Sequence, residues 1–66
     1  MRVGDVYVGP RHGRRYRVVG IGPKSGKVQI LALWDASARP QSATAALMTP
    51  DNGWNLVEEN SNAESI

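Results

Sequence analysis

Glycine and proline interrupt this chain at short intervals, which limits each regular element to a few residues. Gly9 and Gly22, each followed by proline, end two candidate strands, and the stretch 50–53 is a further turn signal. Glycine supplies the positive φ of tight turns, and proline fixes φ and lacks an amide hydrogen, so both mark where a strand stops. Turns that recur roughly every 8 to 12 residues are typical of small all-β folds. The sequence therefore predicts an all-β domain.

Five segments between these turns have the alternation or the β-forming residues of short strands. In the segment 27–35, Val28 and Ile30 share one face with Trp34, but the other face is also apolar in its middle. Two apolar faces are expected of a long bent strand that buries both faces in the core or packs one of them against a partner. The alanine-rich stretch 43–47 could be helical, but it is shorter than the ~12 residues that an independent helix needs. The predicted strands are 3–8, 14–22, 27–35, 41–44 and 54–58, and a single 3₁₀ turn is predicted at 45–48.

The length allows one small domain. A chain of 66 residues buries only about 60% of its unfolded surface on folding, so its stability is marginal. We predict a single domain at residues 1–58 and, from its polar composition, a disordered tail at 59–66. The predicted core consists of Val6, Tyr16 or Val18, Val19, Ile21, Val28, Ile30, Ala32, Leu47, Trp54 and Leu56.

Four segments, taken in order, carry a resemblance to a known fold: "GDVY", "YRVVGI", "VQILAL" and "GWNLVEE". Together they resemble the small SH3-like barrels of the Tudor and KOW type over residues 3–58. The layout is also similar to that of short bacteriophage proteins that open with "GDV" and an aromatic residue. The resemblance implies a five-stranded, partly open SH3-like barrel with one short 3₁₀ turn before the last strand. It also implies a phage-encoded accessory protein that binds and modulates a host protein, using residues at the rim of the barrel.

Catalysis and metal binding are not expected. The chain has no cysteine, so it offers neither disulfides nor thiolate ligands, and His12 is its only histidine. A zinc site needs about four suitable ligands, which one histidine and scattered aspartates do not supply. The serines at positions 25, 37 and 42 lack a recognisable base nearby. We therefore expect a protein that is not an enzyme and that binds no cofactor and no metal.

The sequence also bears on the expected location. No apolar run approaches the ~20 residues that span a membrane. The first ten residues lack the apolar centre of a signal peptide. The absence of cysteine suits a reducing compartment. We expect a cytoplasmic protein without a membrane partner, in the cytoplasm of the host cell if the chain is phage-encoded.

Positive charge is concentrated in the first part of the chain. Residues 1–27 hold seven of the eight Lys and Arg residues, whereas residues 28–66 hold five of the six carboxylates. In an extended strand Arg15 and Arg17 point to one face, opposite Tyr16. Such a basic face can contact nucleic-acid phosphates or an acidic protein, or it can simply keep an edge strand soluble. The candidate binding residues of this basic hairpin are Arg11, His12, Arg14, Arg15 and Arg17.

Two aromatic and two leucine side chains are further candidates. Tyr7 shares a strand face with Asp5, and Trp34 ends the longest apolar strand, so both are expected as binding anchors at the rim. A place in the core is an equally good interpretation for Trp34. If Leu31 and Leu33 project outward, they form an apolar patch that suggests a homodimer or a docking surface. Otherwise these leucines belong to the core.

We expect a small non-catalytic protein-interaction module, with a nucleic-acid-binding module as the alternative. The net charge of only +2 and the acidic second half favour a protein partner over a phosphate-rich one. Under the alternative, the basic hairpin contacts phosphates, and Tyr7 or Trp34 stacks on bases.

Overall fold

The chain folds into one antiparallel β-sheet in the computed structural model, which describes residues 1–22 and 24–59. Its five strands are β1 (Val6–Val8), β2 (Arg15–Ile21), β3 (Lys27–Ala32), β4 (Gln41–Thr44) and β5 (Asn55–Glu58). They pair in the order β4-β3-β2-β1-β5, so β4 and β5 are the edges of an open sheet. The all-β prediction with five strands is confirmed, and the SH3-like resemblance stays a prediction. Of the predicted tail at 59–66, residues 60–66 lie outside the described residues.

Two single turns of 3₁₀ helix connect β4 to β5. The first, Ala45–Leu47, lies where the sequence predicts a 3₁₀ turn, and the second, Pro50–Asn52, occupies the turn signal before the last strand. Gly53 follows with a φ of 85°, a left-handed conformation that glycine adopts without strain. Among the described residues there is no other helix, and none is long and apolar enough to cross a membrane.

The core lies on the inner face of the sheet, where the chain between β4 and β5 covers it. This connection has to pass from one edge of the sheet to the other, and it places Met48 among the buried side chains of the strands. Methionine fits such a position because its flexible side chain fills irregular gaps. Five predicted core residues are buried as expected. Four of them are Val18, Val28, Ile30 and Ala32, and the fifth, Val6, is buried between its strand partners Arg17 and Glu58 on the outer face.

Four other side chains predicted in the core are exposed. The pairing of β2 with β3 shifts register between Val18 and Gly20, so Val19 is a bulged residue without a partner on β3. Every residue of the edge strand β5 is exposed, because nothing pairs with its outer side in the described chain. Tyr7 and Met48 occupy the core instead, and neither is predicted there. The exposed residues are Val19, Ile21, Leu47 and Leu56.

Local turns make β1 and β3 shorter than predicted. Before β1, the Asp5 N–H donates to the Arg2 carbonyl at 3.1 Å, and Gly4 adopts a φ of 100° within this turn. The Asp5 carboxylate, only 2% exposed, accepts a hydrogen bond from the Arg2 N–H at 2.8 Å. This bond gives a buried charged group a partner, as burial requires. Strand β3 is shorter than predicted at its end: it stops at Ala32 because residues 33–34 form a turn.

Strand β2 separates the core from the basic face. Val18 is buried and Tyr16 is half-buried, whereas Arg15 and Arg17 are exposed. This alternation follows from the period of two in a strand, and it confirms the predicted opposition of arginine and tyrosine. Inner and outer faces therefore carry different chemistry along the same seven-residue strand.

Candidate binding site

A tight turn carries the tip of the basic hairpin. His12 and Gly13 have φ values of 61° and 59°, and two consecutive positive φ angles are the signature of the type I′ turn that joins antiparallel strands. The Gly9 N–H donates to the Arg14 carbonyl at 2.9 Å, which closes the hairpin beneath this turn. Arg11 and His12 are exposed at its tip. The turn therefore presents positive charge at one end of the sheet.

Trp34 lies beside this hairpin and contacts two of its side chains. The guanidinium carbon of Arg14 lies 4.1 Å from the centroid of the Trp34 ring, which is the geometry of a cation–π contact. The Tyr16 ring also contacts Trp34 in a T-shaped arrangement, with centroids 6.4 Å apart and planes at 87°. Trp34 is nevertheless 49% exposed. The indole is thus held in place by two neighbours while about half of it faces solvent.

Tyr16 also contacts a second tryptophan, so that three rings form an aromatic row: Trp34, Tyr16 and Trp54. The Tyr16 and Trp54 centroids are 5.6 Å apart. Gly9 makes this packing feasible, because a Cβ at position 9 would lie 3.1 Å from Tyr16 Cε1 and 3.2 Å from Trp54 Cζ3. The row connects the solvent-facing Trp34 to the packed interior of the domain.

A shallow groove runs along this end of the sheet, and we call it the rim groove. It is open to solvent, has a volume of about 590 Å³, and is lined by Gly13, Arg14, Arg15, Leu33 and Trp34. The Leu33 N–H donates to the Arg15 carbonyl at 3.0 Å, which fixes the segment after β3 against β2. Leu33 is 41% exposed, so the floor of the groove is apolar and accessible. Arginine side chains border this apolar floor.

The predicted basic cluster divides into two parts. Arg17 lies on the outer face, where the register places it next to Val6 with Glu58 on the far side of that valine. The Arg17 and Glu58 side chains approach to 4.0 Å across the valine. Within residues 1–22 and 24–59, Arg14 and Arg15 make no salt bridge with a carboxylate. The charge available to a ligand is therefore concentrated at the rim groove and the adjoining turn.

Tyr7, predicted as a second rim aromatic, is instead buried. Its side chain is 9% exposed and belongs to the core, opposite Tyr16 in the register of β1 and β2. Burial raises the pKa of the Tyr7 hydroxyl, and the negative charges of Asp5 and Glu59 raise it further. A buried neutral phenol contributes to packing and is out of reach of a ligand at the rim.

The two leucines predicted as a self-association patch differ in exposure and in neighbours. Leu33 lines the rim groove. Leu31, on β3, is half-buried and lies opposite Arg17 of β2. An arginine therefore borders Leu31 on the outer face. Self-association through these residues stays a prediction.

Asp35 follows Trp34 and has partners within its own loop. Its Oδ1 atom accepts hydrogen bonds from the Ser37 N–H at 3.0 Å and from the Ser37 hydroxyl at 2.9 Å. These two bonds stabilise the ionised carboxylate, the backbone bond most, and lower the pKa of Asp35. The Asp35 carboxylate is thus bound within its own loop and is not among the residues that line the groove.

Sequence reasoning missed three parts of this site: the stacking of Arg14 on Trp34, the place of Leu33 in the groove and the spacing role of Gly9. The only sequence signal for the first two is that the dipeptide Leu33-Trp34 ends an apolar strand. The contact with Arg14 depends on the register between β2 and β3, which pairs Tyr16 with Ala32. Local patterns do not encode that register directly.

Comparison of this chain with protein-family models, with curated proteins and with solved structures finds no match. Over the described ranges 1–22 and 24–59, no group of three or more His, Cys, Asp or Glu side chains could hold a metal ion. The geometry of the rim groove is therefore the basis for a functional proposal.

Proposed function

We propose that the protein is a small non-catalytic protein-interaction module that binds its partner at the rim groove. The observation that carries this proposal is the exposed half of Trp34, which is held between Arg14 and Tyr16. Tryptophan and arginine dominate the energetic centres of protein interfaces, because they offer a large apolar surface together with directed hydrogen bonds. Holding the indole in place before binding also reduces the entropy lost when a partner immobilises it.

The charge of the site bears on the kind of partner. Arg14 and Arg15 border the groove, and Arg11 and His12 extend the positive surface over the turn. An acidic protein surface complements this arrangement and would be attracted to it over a distance. For a phage-encoded chain, as the resemblance implies, the partner would be a host protein that the module modulates in the host cytoplasm.

A nucleic-acid-binding function is the second candidate. The same exposed cations could contact phosphates while Trp34 stacks on a base. It ranks second because Glu58 partly neutralises Arg17, the cation that would extend the basic surface along β2. The groove floor of Leu33 and Trp34 is also better suited to an apolar side chain than to a phosphate.

Affinity capture with matched variants tests the proposal. The wild-type chain should retain one dominant host protein, and Trp34→Ala should lose it, because the central anchor of the interface is removed. Leu47→Ala is the control, since Leu47 is a hydrophobic residue that is 58% exposed, somewhat more than Trp34, and does not line the groove. Capture of the same protein by wild-type chain and Trp34→Ala alike would contradict the proposal.

Gel shifts over a series of salt concentrations separate the second candidate. Binding through phosphates should weaken steeply, with a log–log slope of about −0.9 for each phosphate neutralised on duplex DNA. Arg14→Ala should reduce that slope. If no complex forms even at low salt, the nucleic-acid function is excluded and the protein-interaction function is unaffected.

A further inference from the structure

The donors of Arg14 are unused in the described chain. Its guanidinium meets Trp34 over the ring face at 4.1 Å, and within residues 1–22 and 24–59 its side chain makes neither a hydrogen bond nor a salt bridge. A guanidinium carries five N–H donors in a rigid planar fork. Contact with the indole restricts where that fork can go without occupying the donors. Arg14 is thus oriented for an oxygen ligand before any ligand arrives.

Arg15 supplies a second cation to the same groove. Arg14 directly precedes β2 and Arg15 is the first residue of that strand, and both side chains line the rim groove. Neither has a carboxylate partner in the described part of the chain. An anionic group at this end of the groove would be favoured by both charges, and a bidentate carboxylate matches the guanidinium fork.

The rest of the groove lining is apolar. Leu33 is 41% exposed and Trp34 is 49% exposed, so both present accessible apolar surface beside the arginines. A ligand that fits therefore has a negative group at the arginine end and an apolar side chain over the leucine and the indole.

We propose that the rim groove binds a short acidic segment of a partner protein, in which an Asp or Glu side chain is next to a large apolar side chain. The carboxylate binds Arg14, with Arg15 contributing charge, and the apolar side chain packs on Leu33 and Trp34. This inference rests on the proposed protein-interaction function and specifies its ligand. The groove volume of about 590 Å³ is in the usual range for ligand pockets and suits a few peptide residues.

Selection from a library of random displayed eight-residue peptides tests this assignment. Peptides that bind the wild-type chain but not Trp34→Ala should be enriched in Asp or Glu beside Leu, Ile, Phe or Trp. The best of them is then synthesised with its acidic residue intact and, separately, as the amide isostere (Asp→Asn or Glu→Gln). The dissociation constants of both peptides are measured for the wild-type chain, Arg14→Ala, Arg14→Lys and Arg17→Ala.

The wild-type chain should bind the amide peptide about tenfold more weakly than the acidic one, since a hydrogen-bonded charge is lost. Arg14→Ala should weaken binding of the acidic peptide by a similar factor and leave the affinity for the amide peptide nearly unchanged. This pattern identifies the Arg14 guanidinium and the peptide carboxylate as partners. Arg14→Lys should restore only part of the affinity, because an ammonium has no fork. Arg17→Ala is the matched control and should change affinity less than twofold, because that side chain pairs with Glu58 on the outer face.

Failure of this inference differs from failure of the proposed function. Enrichment of neutral or basic peptides that still require Trp34 would contradict the acidic ligand but remain consistent with a protein-interaction module. Recovery of no Trp34-dependent peptide would count against the module itself. A different outcome is that single-stranded DNA at equal concentration displaces the acidic peptide with the salt dependence of phosphate contacts. That result would overturn the acidic-peptide ligand and identify the groove as a nucleic-acid-binding site. Circular dichroism of each variant, unchanged from the wild-type spectrum, assigns lost binding to the site.

Discussion

The two tryptophans both contact the ring of Tyr16, yet they have different surroundings. Trp54 packs against Tyr16 at 5.6 Å in a space that Gly9 leaves open, and it belongs to the margin of the core. Trp34 meets the same ring at 6.4 Å and has Arg14 over its face, but it is 49% exposed. The backbone around an aromatic residue therefore decides whether its surface stabilises the fold or stays available to a ligand.

Alanine substitution of each tryptophan should affect stability to different extents. Trp54→Ala should lower the free energy of unfolding by about 3 kcal/mol, because it removes a packed ring and leaves a cavity beside Tyr16. Trp34→Ala should lower it by about 1 kcal/mol or less, since half of that ring is already in water. Urea denaturation of both variants measures the difference. Equal losses would show that Trp34 is a core residue and would weaken the case for the rim groove.

A methyl group added at Gly9 tests the packing of Trp54 from the backbone side. Gly9→Ala should lower the free energy of unfolding by about 2 kcal/mol, because its Cβ would press on the rings of Tyr16 and Trp54. Gly20→Ala is the matched control: its Cβ would lie 3.5 Å from the Gln29 side chain, an ordinary contact. That control should leave stability within about 0.5 kcal/mol of wild type. The midpoint of urea unfolding checks both, and a neutral Gly9→Ala would refute the spacing role of this glycine.

The smallest effect concerns Tyr7, which lies opposite Tyr16 on the buried side. Its pKa is raised above the ordinary 10.0 by burial first and by Asp5 and Glu59 second, so the folded state holds the phenol proton more tightly than the unfolded chain does. The stability from this proton is complete below about pH 10 and is lost as pH rises through the raised pKa. Unfolding free energies measured between about pH 9 and about pH 11 should fall less steeply for Tyr7→Phe than for wild type. Parallel slopes would contradict a buried, neutral Tyr7.

Much of the fold follows from local sequence signals. Strand β4 has the predicted bounds, and the 3₁₀ turn after it lies where the alanine-rich stretch is too short for a helix. Long-range features do not follow. The bulge that exposes Val19 depends on how β2 pairs with β3, and the exposure of Leu56 depends on β5 lying at an edge of the sheet. The alternation of residues within a single strand predicts neither the bulge at Val19 nor the edge position of β5.

The candidate site shows the same division. Trp34 and the arginines are visible in the sequence because large aromatic and basic residues beside turns stand out from the strand pattern. Tyr7 is misplaced because Asp5 on the same face indicates solvent, whereas a hydrogen bond from the Arg2 N–H lets that carboxylate be buried. The groove itself joins two hairpins that are distant in sequence. Only the paired strands bring Arg14 over Trp34.

The pairing of β1 with β5 also determines how the domain responds to a mechanical load. The two strands are antiparallel, and the register pairs Val6, where β1 begins, with Glu58, where β5 ends. The segments that lead into β1 and out of β5 therefore leave the sheet on the same side. Tension between them loads one bonded pair after another, starting at Val6 and Glu58, and peels β5 away instead of shearing the whole ladder at once.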